Sequence, residues 1–198
     1  MKHIVIVGAG QIGSRHLQGI AKSEFPKKFT LVDPNLSTLE IAKNRFYEVV
    51  PKGEIDINAV QTLQEVSGEV DLGVICTPAN IRAAIIKEFL ELYNPKGLVL
   101  EKVLFQKLSE YDEIDQLLKS RDIPTWVNCA RRLMPIYQEL QPKFITAAKV
   151  NMHVSGNDLG LGCNGVHFLD LFAFLTGGPI EKLTNFALDP ICVESKRE

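Results

Sequence analysis

No apolar stretch of this 198-residue chain approaches the roughly 20 residues needed to cross a bilayer, so no membrane partner is expected. The opening MKHIVIVGAG has only a short apolar run before its glycines, too little for a secretory leader. Dense blocks of Lys or Arg are missing as well. The 22 basic residues stand against 24 acidic ones, a net charge of −2, which removes the electrostatic footprint of a nucleic-acid binder. Cysteine is sparse: Cys76, Cys129, Cys163 and Cys192 lie far apart with no C-x-x-C pair. That spacing argues against a zinc site and a disulfide framework and suits a reducing cytosol. No Ser/His/Asp or Cys/His nucleophile motif, internal repeat or low-complexity tract is present. These absences lead to the expectation of a soluble, cytoplasmic protein, and the 45% hydrophobic content is enough for a packed core.

What is present first is alternation. Ile4–Val7 is a short apolar, β-branched run of the kind buried on both faces of a parallel sheet, and Phe29–Val32, Leu72–Cys76 and Gly97–Leu100 read as further strands. A weaker strand is predicted over Ile57–Val60 and a further one over Pro124–Val127. Helical patterning separates them: up to about Ser23, over Leu36–Tyr47, and over Ile81–Tyr93, where Ile81, Ile85, Phe89 and Leu92 share a face. Ser109 to Asp112 resembles a capping box that opens another helix. Alternating β and α units imply an α/β Rossmann fold, a doubly wound parallel sheet with right-handed crossovers. The domain boundary is expected at 125/126. Beyond it the pattern predicts a helix from Pro135 toward Leu140, a long strand over Phe144–Ser155, an apolar helix over Gly165–Thr176 and a last strand over Leu183–Ile191. That is a partial α+β domain, residues 126–198, with an open mixed sheet.

Gly8-Ala9-Gly10-Gln11-Ile12-Gly13 is a G-x-G-x-x-G placed directly after a predicted strand and at the start of a predicted helix. Gly8 permits the tight turn, Gly10 lets backbone approach a pyrophosphate, and Gly13 allows close helix–strand packing. The free N–H groups of the helix start, at Gln11, Ile12 and Gly13, would face the phosphates. Asp33 follows Gly13 by 20 residues at the end of the second strand, where its carboxylate can accept ribose hydroxyls. The bland alternative is a glycine turn beside an Asp that caps the next helix. Pro34 and Asn35 follow Asp33, with no adjacent base, which favours NAD over NADP.

Further motifs fall into one order: IVGAGQIGSRHL, ICTPANIR, VLEKV, VNCARRLMP and GVHFLDLFAFLTGG, from residue 6 to residue 178. In them the chain resembles the Gfo/Idh/MocA (glucose–fructose oxidoreductase/inositol dehydrogenase) family. The resemblance implies an enzyme that uses NAD(P) to oxidise or reduce a hydroxyl carbon on a small sugar-like or cyclitol substrate. It implies cofactor contacts from Thr77, Pro78, Asn80 and Glu101, and a catalytic lysine at Lys102 that assists proton movement. Arg131 and Arg132 match a basic position near the family's cleft. His16 matches a family histidine with a structural role. A second domain that often forms the oligomer interface leaves a homo-oligomer through residues 126–198 open.

The chain also departs from that pattern. Val103 stands where the family motif Glu-Lys-Pro has proline. The family's second signature sets an Asp four residues before a His. His167 matches the histidine as a second acid/base residue, but the Asp position is Cys163, a thiol neutral near pH 7. Asn164 is expected to cap the helix and to lie near substrate, and Asp170, one turn from His167, is read as structural. The sequence stops after Ser195-Lys196-Arg197-Glu198, where family members continue, so a form truncated in its second domain is expected. These departures keep a second reading open, a non-catalytic NAD-binding sensor or accessory subunit derived from such an enzyme.

Overall fold

Lys2–Val7 (β1) buries His3 through Val7, as a strand covered on both faces does. In the computed structural model, residues 1–156, 159–182, 184, 187 and 191 are described. The chain divides into two compact units, Met1–Asn128 and Cys129–Glu198.

In the first unit β1 is followed by α1 (Gln11–Ala21), β2 (Lys27–Val32), α2 (Leu36–Tyr47) and β3 (Ile57–Val60). Then come β4 (Leu72–Ile75), α3 (Ala79–Leu92), β5 (Leu98–Leu100), α4 (Leu108–Ser120) and β6 (Thr125–Val127). The sheet order is β3-β2-β1-β4-β5-β6 and every pairing is parallel. This is the doubly wound α/β arrangement, with its switch point between β1 and β4, where ligands of such sheets bind. One core packs Ile4, Ile6, Phe29 and Leu31 with Leu17 and Phe46; the other packs Val5, Val7 and Ile75 with Ile86 and Phe89. At the amino ends Asp71 accepts from Lys2, Lys96 and the His3 N–H, and these donors hold its carboxyl far below the usual range. The division falls slightly beyond the expected 125/126 because β6 belongs to this sheet and the Asn128 N–H still bonds the Leu100 carbonyl at 2.8 Å.

Two local expectations are corrected here. The buried side of α3 carries Arg82, Ala83, Ile86, Phe89 and Leu90, while Ile81 and Leu92 are exposed. The core face is therefore rotated from the predicted one: Ile81 lines a cavity, and Ile85, half-buried, lines the same cavity while also packing against the core. Leu108 opens α4 with Lys107 at the cap position, so Ser109 lies inside the helix and its side chain does not cap.

The second unit holds a 3-10 turn at Ala130–Leu133, α5 (Pro135–Phe144) and α6 (Leu161–Thr176). Pro135 occupies the first turn of α5, where its missing N–H costs nothing. Gly177 ends α6 in the left-handed region, φ 72°. The strand predicted over Phe144–Ser155 is not observed: Phe144 closes α5 and residues 145–156 run as turns and irregular chain. Period-two alternation makes a strand only where a neighbour satisfies its backbone groups, and among the described residues this unit contains no strand. The strand expected over Leu183–Ile191 falls outside the described residues except at 184, 187 and 191. No helix among the described residues is long and apolar enough to cross a membrane.

Candidate cofactor-binding and active site

The turn between β1 and α1 uses its three glycines differently. Gly8 has φ +90°, and a Cβ there would sit 3.0 Å from the Cys76–Thr77 backbone. A Cβ on Gly13 would stand 1.9 Å from the Gly8 carbonyl oxygen. The chain's own packing thus requires both. Gly10 is different: a Cβ there meets no protein atom within 4 Å, and Gly10, Gln11 and Ile12 are exposed. The first helical bond runs from Ser14 N to Gly10 O, which leaves the N–H groups of Gln11, Ile12 and Gly13 without helical acceptors. An open glycine beside free helix-start donors fits a pyrophosphate.

Asp33 sits half-buried just beyond β2. Its Oδ2 accepts from Ala9 N at 2.9 Å and its Oδ1 from Asn35 N at 3.0 Å. Asn35 in turn caps α2 by accepting from Ser37 N and Thr38 N. Each carboxylate oxygen keeps a second lone pair for a hydroxyl. Asp33, Gly8, Thr77 and Pro78 line one cavity of about 470 Å³, together with Leu63 and Ile81. The Thr77 hydroxyl is buried with no partner among the described residues. Asn80 is exposed in the first turn of α3. The cavity's lining of apolar and polar groups, with two carboxylates at Asp33 and Glu88, fits an adenine dinucleotide together with the open glycine of the turn. A separate hollow of about 610 Å³ lies between α4 and β6, and no predicted site residue lines it.

At the exit of β5 the Glu101 side chain turns inward. It is 5% exposed and accepts from His16 Nε2 at 2.7 Å and from the Asn128 amide. Burial pushes its carboxyl up, but the bonds from His16 and Asn128 outweigh burial and hold it below its ordinary value. Glu101 Oε2 also lies 3.3 Å from the Lys102 N–H, so the carboxylate braces the backbone of the next residue. Lys102 itself is half-buried, and the Lys102–Val103 peptide is cis. Nearby, burial and then the Glu101 charge push the Cys76 thiol up to about 12, which leaves it protonated. Sequence reasoning missed Arg82. This buried arginine of α3 donates to the carbonyls of Thr77, Glu101, Val103 and Leu104.

In the second unit the 3-10 turn presents Arg131 and Arg132 toward α6. Arg131 stacks over the Phe168 ring at 4.5 Å. Arg132 forks onto Asp170, with Nε 3.0 Å from Oδ2 and Nη2 on Oδ1, so Asp170 serves this arginine. Helix α6 begins at Leu161, earlier than expected, with Gly160 at the cap in the left-handed region. Asn164 is therefore not the cap. It lies in the first turn, where its Nδ2 donates to the Leu159 carbonyl. Cys163 is exposed in the same turn, and His167 follows within α6. Among the described residues no group of His, Cys, Asp and Glu forms a metal cluster.

Residues 2–129 match the Gfo/Idh/MocA family, described as an oxidoreductase family with an NAD-binding Rossmann fold. The chain belongs to this family. Its first unit is thus the family's NAD-binding domain, and the family's cofactor is NAD. No curated protein matches the chain. Among solved structures it is similar to GenD2 from gentamicin A biosynthesis, in complex with NAD, at TM-score 0.69 and 16% identity, over 90% of this chain and 54% of that one. It is similar to an oxidoreductase from Agrobacterium radiobacter in complex with NAD+, L-tartaric acid and magnesium, at TM-score 0.66 and 14% identity, over 89% and 55%. The WlbA dehydrogenase from Thermus thermophilus, in complex with NAD and alpha-ketoglutarate, matches at TM-score 0.63 and 18% identity, over 88% and 62%. At these identities the likeness concerns fold, and the chain spans between about half and three fifths of the lengths of these proteins.

Proposed function

We propose that this protein is an NAD-dependent oxidoreductase that moves a hydride to or from a hydroxyl or carbonyl carbon of a small sugar-like or cyclitol molecule in the cytoplasm. The observation that carries this reading is the setting of Lys102. It follows β5, at the carboxyl ends of the strands that also bear the open Gly10 edge and Asp33, with Glu101 bracing its backbone. NAD, when bound, supplies the hydride acceptor, or as NADH the donor. Gly10 and the helix-start N–H groups hold the pyrophosphate, and Asp33 holds the ribose and repels a 2′-phosphate, which favours NAD over NADP. In the oxidation Lys102, as the neutral amine, would take the hydroxyl proton as C=O forms. In the reduction Lys102 returns it. His167 is proposed as a second acid/base residue, with Arg131, Arg132 and Asn164 contributing to substrate contact.

Cys163 supports a second reading, a non-catalytic NAD-binding sensor or accessory subunit, because an exposed thiol stands where the family signature carries a carboxylate. Turnover separates the two. The native chain and Lys102→Met are tested for NAD affinity and for hydride transfer with a panel of sugars, nucleotide sugars and cyclitols. The enzyme reading expects unchanged affinity in the variant and turnover lower by about a hundredfold or more. Equal turnover would remove Lys102 from the mechanism. Tight NAD binding with no turnover of any substrate by the native chain would favour the sensor.

A further inference from the structure

Burying a guanidinium is costly unless its donors and its charge are answered. Arg82 is 3% exposed on the core side of α3, which it shares with Ile86 and Phe89. Burial pushes the guanidinium below its ordinary value, and the Glu101 charge opposes that without cancelling it. The two terminal nitrogens donate to main-chain carbonyls, while Nε is buried with no partner among the described residues. Nη2 bonds the Thr77 carbonyl, in the loop after β4. Nη1 is shared among the carbonyls of Glu101, Val103 and Leu104, in the loop after β5. Glu101 and Val103 are the two neighbours of Lys102, so the backbone is pinned on both sides of the lysine. Thr77 lines the dinucleotide cavity. One rigid planar cation therefore joins the loop that borders the cofactor to the loop that carries the proton-transfer group.

We propose that Arg82 is a positioning residue, which holds Lys102 at a fixed reach from the dinucleotide cavity by clamping the loops after β4 and β5 to each other. This rests on the reading of the site given above. A purely structural role would satisfy the same carbonyls, but its loss would lower stability without changing turnover per folded molecule. Lysine is an informative replacement. Its ammonium is a point charge at the end of a flexible stem and cannot present the flat fork that reaches both loops at once.

The test uses the full chain with Arg82→Lys, Arg82→Ala and, as a control on the exposed side of the same helix, Lys87→Ala, which removes only the contact to Glu113. Melting temperature, NADH affinity, and kcat and KM for a substrate of the native chain are measured for each. Positioning predicts that Arg82→Lys keeps its NADH affinity within about threefold while kcat falls about 30- to 100-fold with KM little changed, the scale expected when a reacting group is displaced by about 1 Å. Millimolar guanidinium should restore part of the kcat of Arg82→Ala. Native kcat in folded Arg82→Lys, or equal losses of affinity, kcat and melting temperature, would overturn the proposal. Hydrogen exchange tests the clamp itself, independently of turnover. Amides of residues 101–105 should exchange about tenfold faster in Arg82→Lys than in the native chain, with the interior of α3 unchanged. If the native chain turns over no substrate, the proposed function fails while the exchange result stands. Unchanged exchange at 101–105 would defeat the clamp whatever the activity.

Discussion

A methyl group added at Gly10 meets no protein atom within 4 Å, whereas one added at Gly13 stands 1.9 Å from the Gly8 carbonyl oxygen. Gly10 has φ −61°, outside the left-handed region that disfavours side chains. Gly10→Ala reduces the freedom of the unfolded chain, a gain of about 0.4–1 kcal/mol. Alanine is also a poorer helix cap than glycine, and that loss is of similar size. The ligand-free variant should therefore stay within about 1 kcal/mol of the native chain, or about 4 °C in melting temperature. A pyrophosphate lying against the turn would meet the new methyl. Overpacking of that kind costs about 1–3 kcal/mol, which is a rise in the NAD Kd of about five- to 150-fold. In Gly13→Ala the same cost falls on folding, since backbone must move to relieve a contact that no non-bonded atoms sustain. Scanning calorimetry of the free proteins and NADH fluorescence titration read the two effects separately. Native NAD affinity in Gly10→Ala would refute the placement of the pyrophosphate. Unfolding of that variant would show that the chain itself requires the glycine.

Asp33→Ala should weaken NAD by about 1.5–3 kcal/mol, the range for hydrogen bonds to a charged group, and should narrow the preference over NADP. It should also lower the melting temperature, because Ala9 N and Asn35 N lose their acceptor. Equal affinities of the native chain for NAD and NADP in a titration would remove Asp33 from cofactor selection. Glu101 is held below its ordinary value despite burial, so the folded state binds its proton less tightly than the unfolded state does. Its contribution to stability is present above the ordinary carboxylate range and is lost as the pH falls below about 4.3. Glu101→Gln should therefore flatten the acid limb of stability measured by urea unfolding from pH 6 to pH 3, and an unchanged slope would contradict the role given to His16 and Asn128.

Strands were legible where burial on both faces leaves a continuous apolar run, as in Ile4–Val7 and Leu98–Leu100. Asp33 was legible because motif spacing and strand end coincide. The face of α3 was not, since Ile81 and Leu92 are as apolar as Ile86 and Phe89, yet both are exposed. Hydrophobicity alone does not say which apolar surface a neighbour covers. Arg82 left a signal that was passed over: it stands four and seven residues before Ile86 and Phe89, so a charge occupies a core position of the helix. Its partners are main-chain carbonyls, which have no code in the residue types. Residues 145–156 misled because alternation describes a strand's side chains and leaves out the neighbour its backbone requires. Asn164 misled in another way: it is a good capping residue, but Gly160 in the left-handed region lets α6 begin before it.

The two bonds that Asp33 makes to Ala9 N and Asn35 N hold the glycine turn to the end of β2 and the head of α2 with no ligand present. Ordering one residue of a loop costs about 1–2 kcal/mol of backbone entropy. Here that loss is incurred once, when the chain folds, and not at each association. A dinucleotide would then meet a turn already held in place, so the cost of ordering it is not charged to binding. Fragments that reach only the adenosine end, such as AMP, should then associate as rapidly as the whole cofactor and differ from it mainly in how soon they leave.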